Sequence, residues 1–341
     1  MLLTHTTLTL HLVTPFRLSY GVSETREAHW IRLRDDEGWG EAAIPPYYGI
    51  SAESMRAVWE AAARKSGAFP DDLAGIPAWV GADGPAPARC ALDLALHDRL
   101  GKRLGLPLYR LLDLPTPAPQ PTSFTIAIDT PAEMARLARE SARFAVIKLK
   151  LGGEGDDEAR IAAVRAARPE ARLRIDANAG WSFDQAVQLL RGWQRYELEL
   201  VEQPLAKDQI EAMGRLQALT PIPIVADESV QSIADIEALA RAGVAGANLK
   251  LMKLGGLSAG LACLRRARQL GLRVMLGCMV ETSIGATAMA HLAGLAEWLD
   301  LDAPLLVSDD PFDGLRYSDD GSILLPERPG IGVIRKETRP A

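Results

Sequence analysis

The sequence predicts an α/β protein built on a parallel (β/α)7β barrel, and three observations carry that expectation. From residue 124 onward, eight short apolar segments alternate with amphipathic stretches at about 25 residues per unit. Before residue 114 the chain instead opens with segments of period-two alternation. Between the two regions LPTPAPQPTS, residues 114–123, holds four prolines in ten residues and cannot continue a helix. A domain boundary is expected there.

Taken in chain order, LTLHLV (8–13) and HWIRLRDDEGWGEA (29–42) alternate apolar and polar residues around an Asp-Glu-Gly turn signal. This suggests an antiparallel hairpin or meander. AESMRAVWEAAARK (52–65) and ARCALDLALHDRLGKRLG (88–105) repeat apolar positions at spacings of three and four, with Gly101 or Gly105 as the stop. The barrel strands are expected at FTIAI (124–128), AVIKLK (145–150), RLRID (172–176), LELVE (198–202), PIVAD (223–227), GANLK (246–250), RVMLG (273–277) and EWLDLD (297–302). Seven helical patterns fill the gaps, from PAEMARLARESA to ATAMAHLAGLA. Such strict alternation favours a barrel over a doubly wound open sheet.

Composition narrows the function classes. A chain of 341 residues with 48% hydrophobic content can bury a large core. Its net charge of −6 comes with no basic cluster, which argues against a nucleic-acid partner. No apolar run approaches the roughly 18 residues that span a bilayer, and the opening MLLTHTTLTLHLVTPF reads as a strand and not a signal peptide. Cys90, Cys263 and Cys278 are too few and too scattered for a disulfide framework or a zinc knuckle. A soluble protein of the reducing cytoplasm is expected.

In such barrels chemistry gathers at the C-terminal strand ends. The second strand here ends in Lys148 and Lys150, the third in Asp176, the fourth in Glu202, the fifth in Asp227, the sixth in Lys250 and the eighth in Asp300 and Asp302. One charged strand end means little; a series in phase directs these groups into a shared space. Three carboxylates on neighbouring strands repel one another unless a cation neutralises them, and all-oxygen ligation suits a hard divalent ion, here magnesium. The alternative for any one acid is a helix cap or a salt bridge. Asn178 and Glu228 follow their ligands closely enough to orient them or to hold metal-bound water, or they are ordinary loop caps. Lys150 and Lys250 sit four strands apart, opposite one another in an eight-stranded barrel. Either they flank a substrate as acid/base groups or they serve as counter-ions to the acids. Lys148 shares a face with Lys150 and would lower its pKa as a like charge. Lys253 lies beyond the strand end and is expected in solvent.

The series IKLK, RIDANAGW, LVEQPL, VADES and NLKLMKLGG resembles the enolase superfamily, and within it the muconate lactonizing enzyme subgroup. That superfamily uses a Lys or His base with magnesium to stabilise an enediolate. The resemblance implies a modified TIM barrel at 119–305, with an α+β capping domain built from 1–118 and a C-terminal segment, 306–341, that returns to it. It implies that Asp176, Glu202 and Asp227 bind one Mg2+ per active site, that Lys150 and Lys250 are the two acid/base groups, and that Lys148 assists. The mandelate racemase branch relies on a His-Asp pair at later strand ends; none of His5, His11, His29, His97 or His291 ends a barrel strand.

Within the lysine branch, GCMVETSIG and WLDLDAPL resemble the dipeptide epimerases of Ala-Glu epimerase type, in which an Asp-x-Asp at the end of the eighth strand binds the substrate's α-ammonium. Asp300 and Asp302 take that role by resemblance, with Cys278 also at the substrate; the plain alternative is an acidic loop pair. The implied reaction is inversion of an α-carbon by 1,1-proton transfer. Specificity would come from cap loops at 17–27 and 44–51, where Tyr20, Tyr47 and Tyr48 offer an aromatic wall for an apolar side chain and Glu24 a partner for a cationic one, or are plain surface loop residues. Gly21 stands where some Ala-Glu epimerases carry an arginine, although Arg17 and Arg26 are near. A second hypothesis is a lyase or cycloisomerase on a non-amino acid, of the o-succinylbenzoate synthase or muconate cycloisomerase type. It has no need of Asp300 and Asp302. A third, a catalytically silent binding barrel, sits badly with the complete set of lysines and acids. The family also implies a homo-oligomer, but no interface declares itself in the sequence.

Overall fold

Eight parallel strands enclose the site. The computed structural model describes residues 3–18, 21–34, 36–66, 68–152 and 155–337. The N-terminal region forms an antiparallel meander, β1 (Leu3–Leu18), β2 (Gly21–Leu33) and β3 (Gly38–Ala42). Asp36 takes a positive φ of 72° at the predicted Asp-Glu-Gly turn. Helices α1 (Ala52–Ala63), α2 (Gly75–Val80), α3 (Ala86–Leu104) and α4 (Leu108–Leu111) follow. Of the two candidate stops for α3, Gly105 is the one used, at φ 68°; Gly101 lies inside the helix, where a Cβ would meet the backbone of Gly330.

All eight predicted barrel strands form, in chain order, each buried along most of its length: β4 (Ser123–Ile126), β5 (Val146–Lys150), β6 (Arg172–Asp176), β7 (Leu198–Glu202), β8 (Ile224–Ala226), β9 (Gly246–Leu249), β10 (Arg273–Gly277) and β11 (Trp298–Asp300). The first and last strands are joined by a parallel bridge between Thr122 and Leu299, so the sheet closes. Around it run α5 (Pro131–Glu140), α6 (Asp157–Ala167), α7 (Phe183–Trp193), α8 (Ile210–Gln217), α9 (Ile233–Ala242), the short α10 (Leu251–Leu254), α11 (Leu257–Gln269), α12 (Ser283–Ala290) and the short α13 (Ala303–Leu306). Their starts are set locally: Thr130, Asp156, Ser182, Ser232 and Thr282 each accept a first-turn amide, and Ser182 with Gln185 completes a capping box. Inside the barrel Leu200, Val225, Met275 and Trp298 pack into one layer, so the interior is a core and not a pore.

The strand bounds refine the expectation in one respect. Asp227, Lys250 and Asp302 lie one or two residues past their strands, in the loops at the barrel mouth. After α13 the chain returns to the N-terminal region, where Phe312 packs edge-on against Trp30 and Trp39 at ring separations of 4.9 and 5.1 Å. Further along, the Ile331 amide donates to Asp98 of α3. The C-terminal segment thus packs on the N-terminal strands and on α3.

Candidate active site

Parallel register levels the strand ends: Lys150 pairs with Asp176 and Asp176 with Glu202 across β5, β6 and β7. One oxygen from each of Asp176, Glu202 and Asp227 can be chosen so that the three lie within 4.8 Å of one another, and all three residues are buried. Each carboxylate has one oxygen held by the scaffold. Asp176 Oδ1 accepts the Asn178 amide at 2.9 Å, Glu202 Oε1 accepts Asn248 Nδ2 at 2.8 Å, and Asp227 Oδ1 accepts Lys253 Nζ at 2.5 Å. The other oxygens turn inward. Asp176 Oδ2 meets Lys150 at 2.5 Å and Lys148 at 3.1 Å; Asp227 Oδ2 meets Lys250 at 2.7 Å. Glu202 Oε2 lies 2.7 Å from Lys148 Nζ without the alignment of a hydrogen bond.

Charge decides what this cluster can hold. Asp176, Glu202, Asp227, Glu228, Asp300 and Asp302 are six carboxylates against four ammonium groups, Lys148, Lys150, Lys250 and Lys253, all buried. With all six ionised the surplus would be two negative charges, which one divalent cation would balance. Burial, reinforced by Asp176, pushes Glu202 up to about 8. Burial and Asp227 push Glu228 up to about 7, and Glu228 Oε2 is buried with no hydrogen-bond donor. Acids that resist ionisation and an orphaned oxygen both mark a place for a hard cation, so the donor set fits magnesium.

The expected substrate groups surround the same space. One pocket is lined by Lys148, Lys150, Lys250, Asn178, Glu228, Cys278, Asp300, Asp302 and Tyr48. Asp300 accepts Lys148 Nζ at 2.7 Å and the Ser123 hydroxyl; despite burial these partners press its pKa down to about 2. Asp302 accepts the Thr125 amide at 2.7 Å, yet burial and the Asp300 charge push it up to about 6. Cys278 donates its thiol to the Asp300 carbonyl at 3.2 Å. Asn178 Nδ2 donates to Glu228 Oε1 at 3.1 Å. Tyr20 lies outside the described residues.

One expectation needs correction. Lys253 is not in solvent: it is 3% exposed and donates to Asp227 Oδ1, to the Asp227 carbonyl and, at 3.1 Å, to the Asn248 carbonyl. The cause is α10, one helical turn that brings Lys250 and Lys253 onto the same carboxylate. Lys148 is surrounded by Asp300, Glu202 and Asp176, which, against the effect of burial, hold its pKa well above the ordinary range and keep it charged. Asn248, Gln203, Thr125 and Ser123 were missed. Asn248 carried a signal, since period-two alternation in GANLK puts it on the face of Lys250. Gln203 did not: its Oε1 accepts the Asp227 and Ser229 amides through a loop contact that no local pattern announces. The cap adds Phe16, Arg26, Glu27 and Ile44 to the pocket wall.

Three buried acids that could hold a cation, with two lysines lining one pocket at the mouth of a (β/α)7β barrel, define the class of site. The chain belongs to the enolase superfamily: residues 132–338 match the enolase C-terminal domain-like family. Among curated proteins it is 35% identical to the L-Ala-D/L-Glu epimerase of Bacteroides thetaiotaomicron over 302 residues, covering 87% of this chain and 78% of that protein. A substrate-liganded L-Ala-D/L-Glu epimerase from Bacillus subtilis superposes with a TM-score of 0.90 at 31% identity, covering 98% of both chains. A dipeptide epimerase from Cytophaga hutchinsonii, complexed with Mg and D-Ala-L-Val, gives a TM-score of 0.90 at 29% identity, covering 99% of this chain and 97% of that one.

Proposed function

We propose that this protein is a magnesium-dependent dipeptide epimerase that inverts an α-carbon by 1,1-proton transfer between Lys150 and Lys250. It is an isomerase, as its curated relatives are. One observation carries the reading: both lysines line one pocket from strands four apart in an eight-stranded barrel, so a carbon held between them is reached from both faces. A 1,1-proton transfer needs that; elimination or cycloisomerisation needs one such group.

Asp176, Glu202 and Asp227 would hold the cation, which supplies positive charge to the substrate carboxylate and offsets the acids that keep nearby lysines protonated. Burial would lower the Lys250 pKa, but Asp227 and Glu202 outweigh it and raise it well above the ordinary range. Lys250 therefore starts as a proton donor, and it becomes a base as those acids are neutralised. Asp302 is the better anchor for the substrate ammonium. Its carboxyl, raised to about 6, gains most from a cationic partner, while Asp300 contributes a charge already fixed by Lys148. Apolar Phe16, Ile44 and Leu306 on the pocket wall support a dipeptide with an apolar side chain, while Arg26 and Glu27 beside them offer a partner for either charge.

The test is a dipeptide library in deuterium oxide with magnesium, followed by mass spectrometry and chiral separation. The expected outcome is a single deuterium at one α-carbon, with both epimers formed from either one. Absence of α-exchange on every dipeptide, with turnover of a cyclic diacid, would overturn the proposal in favour of a cycloisomerase.

A further inference from the structure

The buried Lys253 has no part in the chemistry above: its side chain is fully enclosed and it does not line the pocket. Its three N–H bonds match its three acceptors, Asp227 Oδ1, the Asp227 carbonyl and the Asn248 carbonyl, so nothing remains to offer a substrate. It ties the end of β8 to the end of β9. Lys250 approaches the same carboxylate from the other oxygen, but Lys250 lines the pocket and has room to leave. Asp227 thus has one oxygen permanently taken and one that can be released. The Asn178 amide and Asn248 Nδ2 do the same for Asp176 and Glu202, but only on Asp227 is the holder an ammonium group.

We infer that Lys253 is a positioning residue that keeps Asp227 a one-oxygen ligand and thereby sets the site's preference for a small, octahedral cation over a larger one. The inference rests on the proposed role of Asp176, Glu202 and Asp227 as the cation ligands. Magnesium demands six ligands near 2.0–2.1 Å, whereas calcium accepts 6–8 at longer distances and takes carboxylates through both oxygens. A carboxylate with one oxygen locked cannot spread over a larger ion. Releasing Oδ1 lets it do so.

The experiment compares wild type with Lys253→Met by calorimetric titration of Mg2+ and Ca2+ separately, without substrate. The ratio of the two dissociation constants is the readout, because loss of a positive charge strengthens both divalent ions alike and cancels. In Lys253→Met the ratio should move toward calcium by about tenfold or more, the lower end of the 10–100-fold typical of residues that orient metal ligands. Lys253→Gln, too short to reach Oδ1, is read in the same way should the methionine variant not fold. A ratio within twofold of wild type in a folded variant overturns the inference while leaving the cation site standing. Wild-type protein that binds neither ion overturns both.

Discussion

Asp300 and Asp302 occupy alternate positions of one short segment, yet their surroundings divide them. Asp300 is spent on Lys148 and Ser123, while Asp302 is held by Thr125 and faces the pocket with a raised pKa. Asp302→Asn keeps an acceptor for Thr125 and removes the charge that would meet an ammonium group. Dipeptide kcat/KM should fall by about 10²-fold, mostly through KM, from loss of a charge-assisted hydrogen bond worth roughly 2–3 kcal/mol. Steady-state kinetics beside an unchanged urea midpoint checks this; a KM that does not rise would remove Asp302 from the substrate. At this scale the sequence was most readable where the side chain ends a strand, since direction follows from period two and position from the barrel. It was least readable at Lys253, where a single turn of helix turned an apparent loop residue into an interior cation.

The glycines of GWGEA show what an element needs that its pattern does not reveal. Period-two alternation correctly placed a strand there, but not its neighbour: β3 lies so close to α3 that a Cβ on Gly40 would overlap the Ala91 carbonyl, and one on Gly38 the Ala95 carbonyl. Both obstacles are helix backbone, which cannot rotate away as a side chain can. Gly40→Ala should cost about 3 kcal/mol, the upper end for overpacking. Urea unfolding would show it as a lower midpoint at unchanged slope. The next residue, Glu41, is fully buried and accepts the Thr282 and Gly285 amides at the start of α12, so a displaced β3 also disturbs a barrel helix. The stop of α3 was legible from sequence because Gly105 directly follows the helical pattern; the β3–α3 contact spans some fifty residues and was not.

Across the whole molecule the two chain ends and the barrel are tied together at His291. Its Nδ1 accepts the Tyr109 amide at 3.2 Å and its Nε2 donates to the Ile331 carbonyl at 3.0 Å, an arrangement that only a neutral ring satisfies. Burial lowers its pKa from 6.5 to about 4. Between those values the unfolded chain takes up the proton and the folded one does not, so stability is full above pH 6.5 and declines as pH falls toward 4, by at most roughly 3 kcal/mol. His291→Gln lacks this proton uptake. The stability gap between wild type and variant should narrow from pH 7 to pH 4.5 in urea titrations, and an equal gap at both pH values would contradict the assignment. The barrel was legible because each unit is local, about 25 residues of strand and helix. The cap's closing half was known only by resemblance, because its short pairings, such as Phe312 with Arg335, are two residues long and leave no period to read.

Asp98 on α3 receives the Ile331 amide across 233 residues of sequence. During synthesis that bond cannot exist until the barrel has been made, and at roughly 5–20 residues per second the delay is on the order of ten to fifty seconds. Helix α3 therefore leaves the ribosome with Lys102 and the Trp39 amide available to one Asp98 oxygen and no Ile331 amide for the other, and the N-terminal region, though it begins the chain, is the last part to be completed.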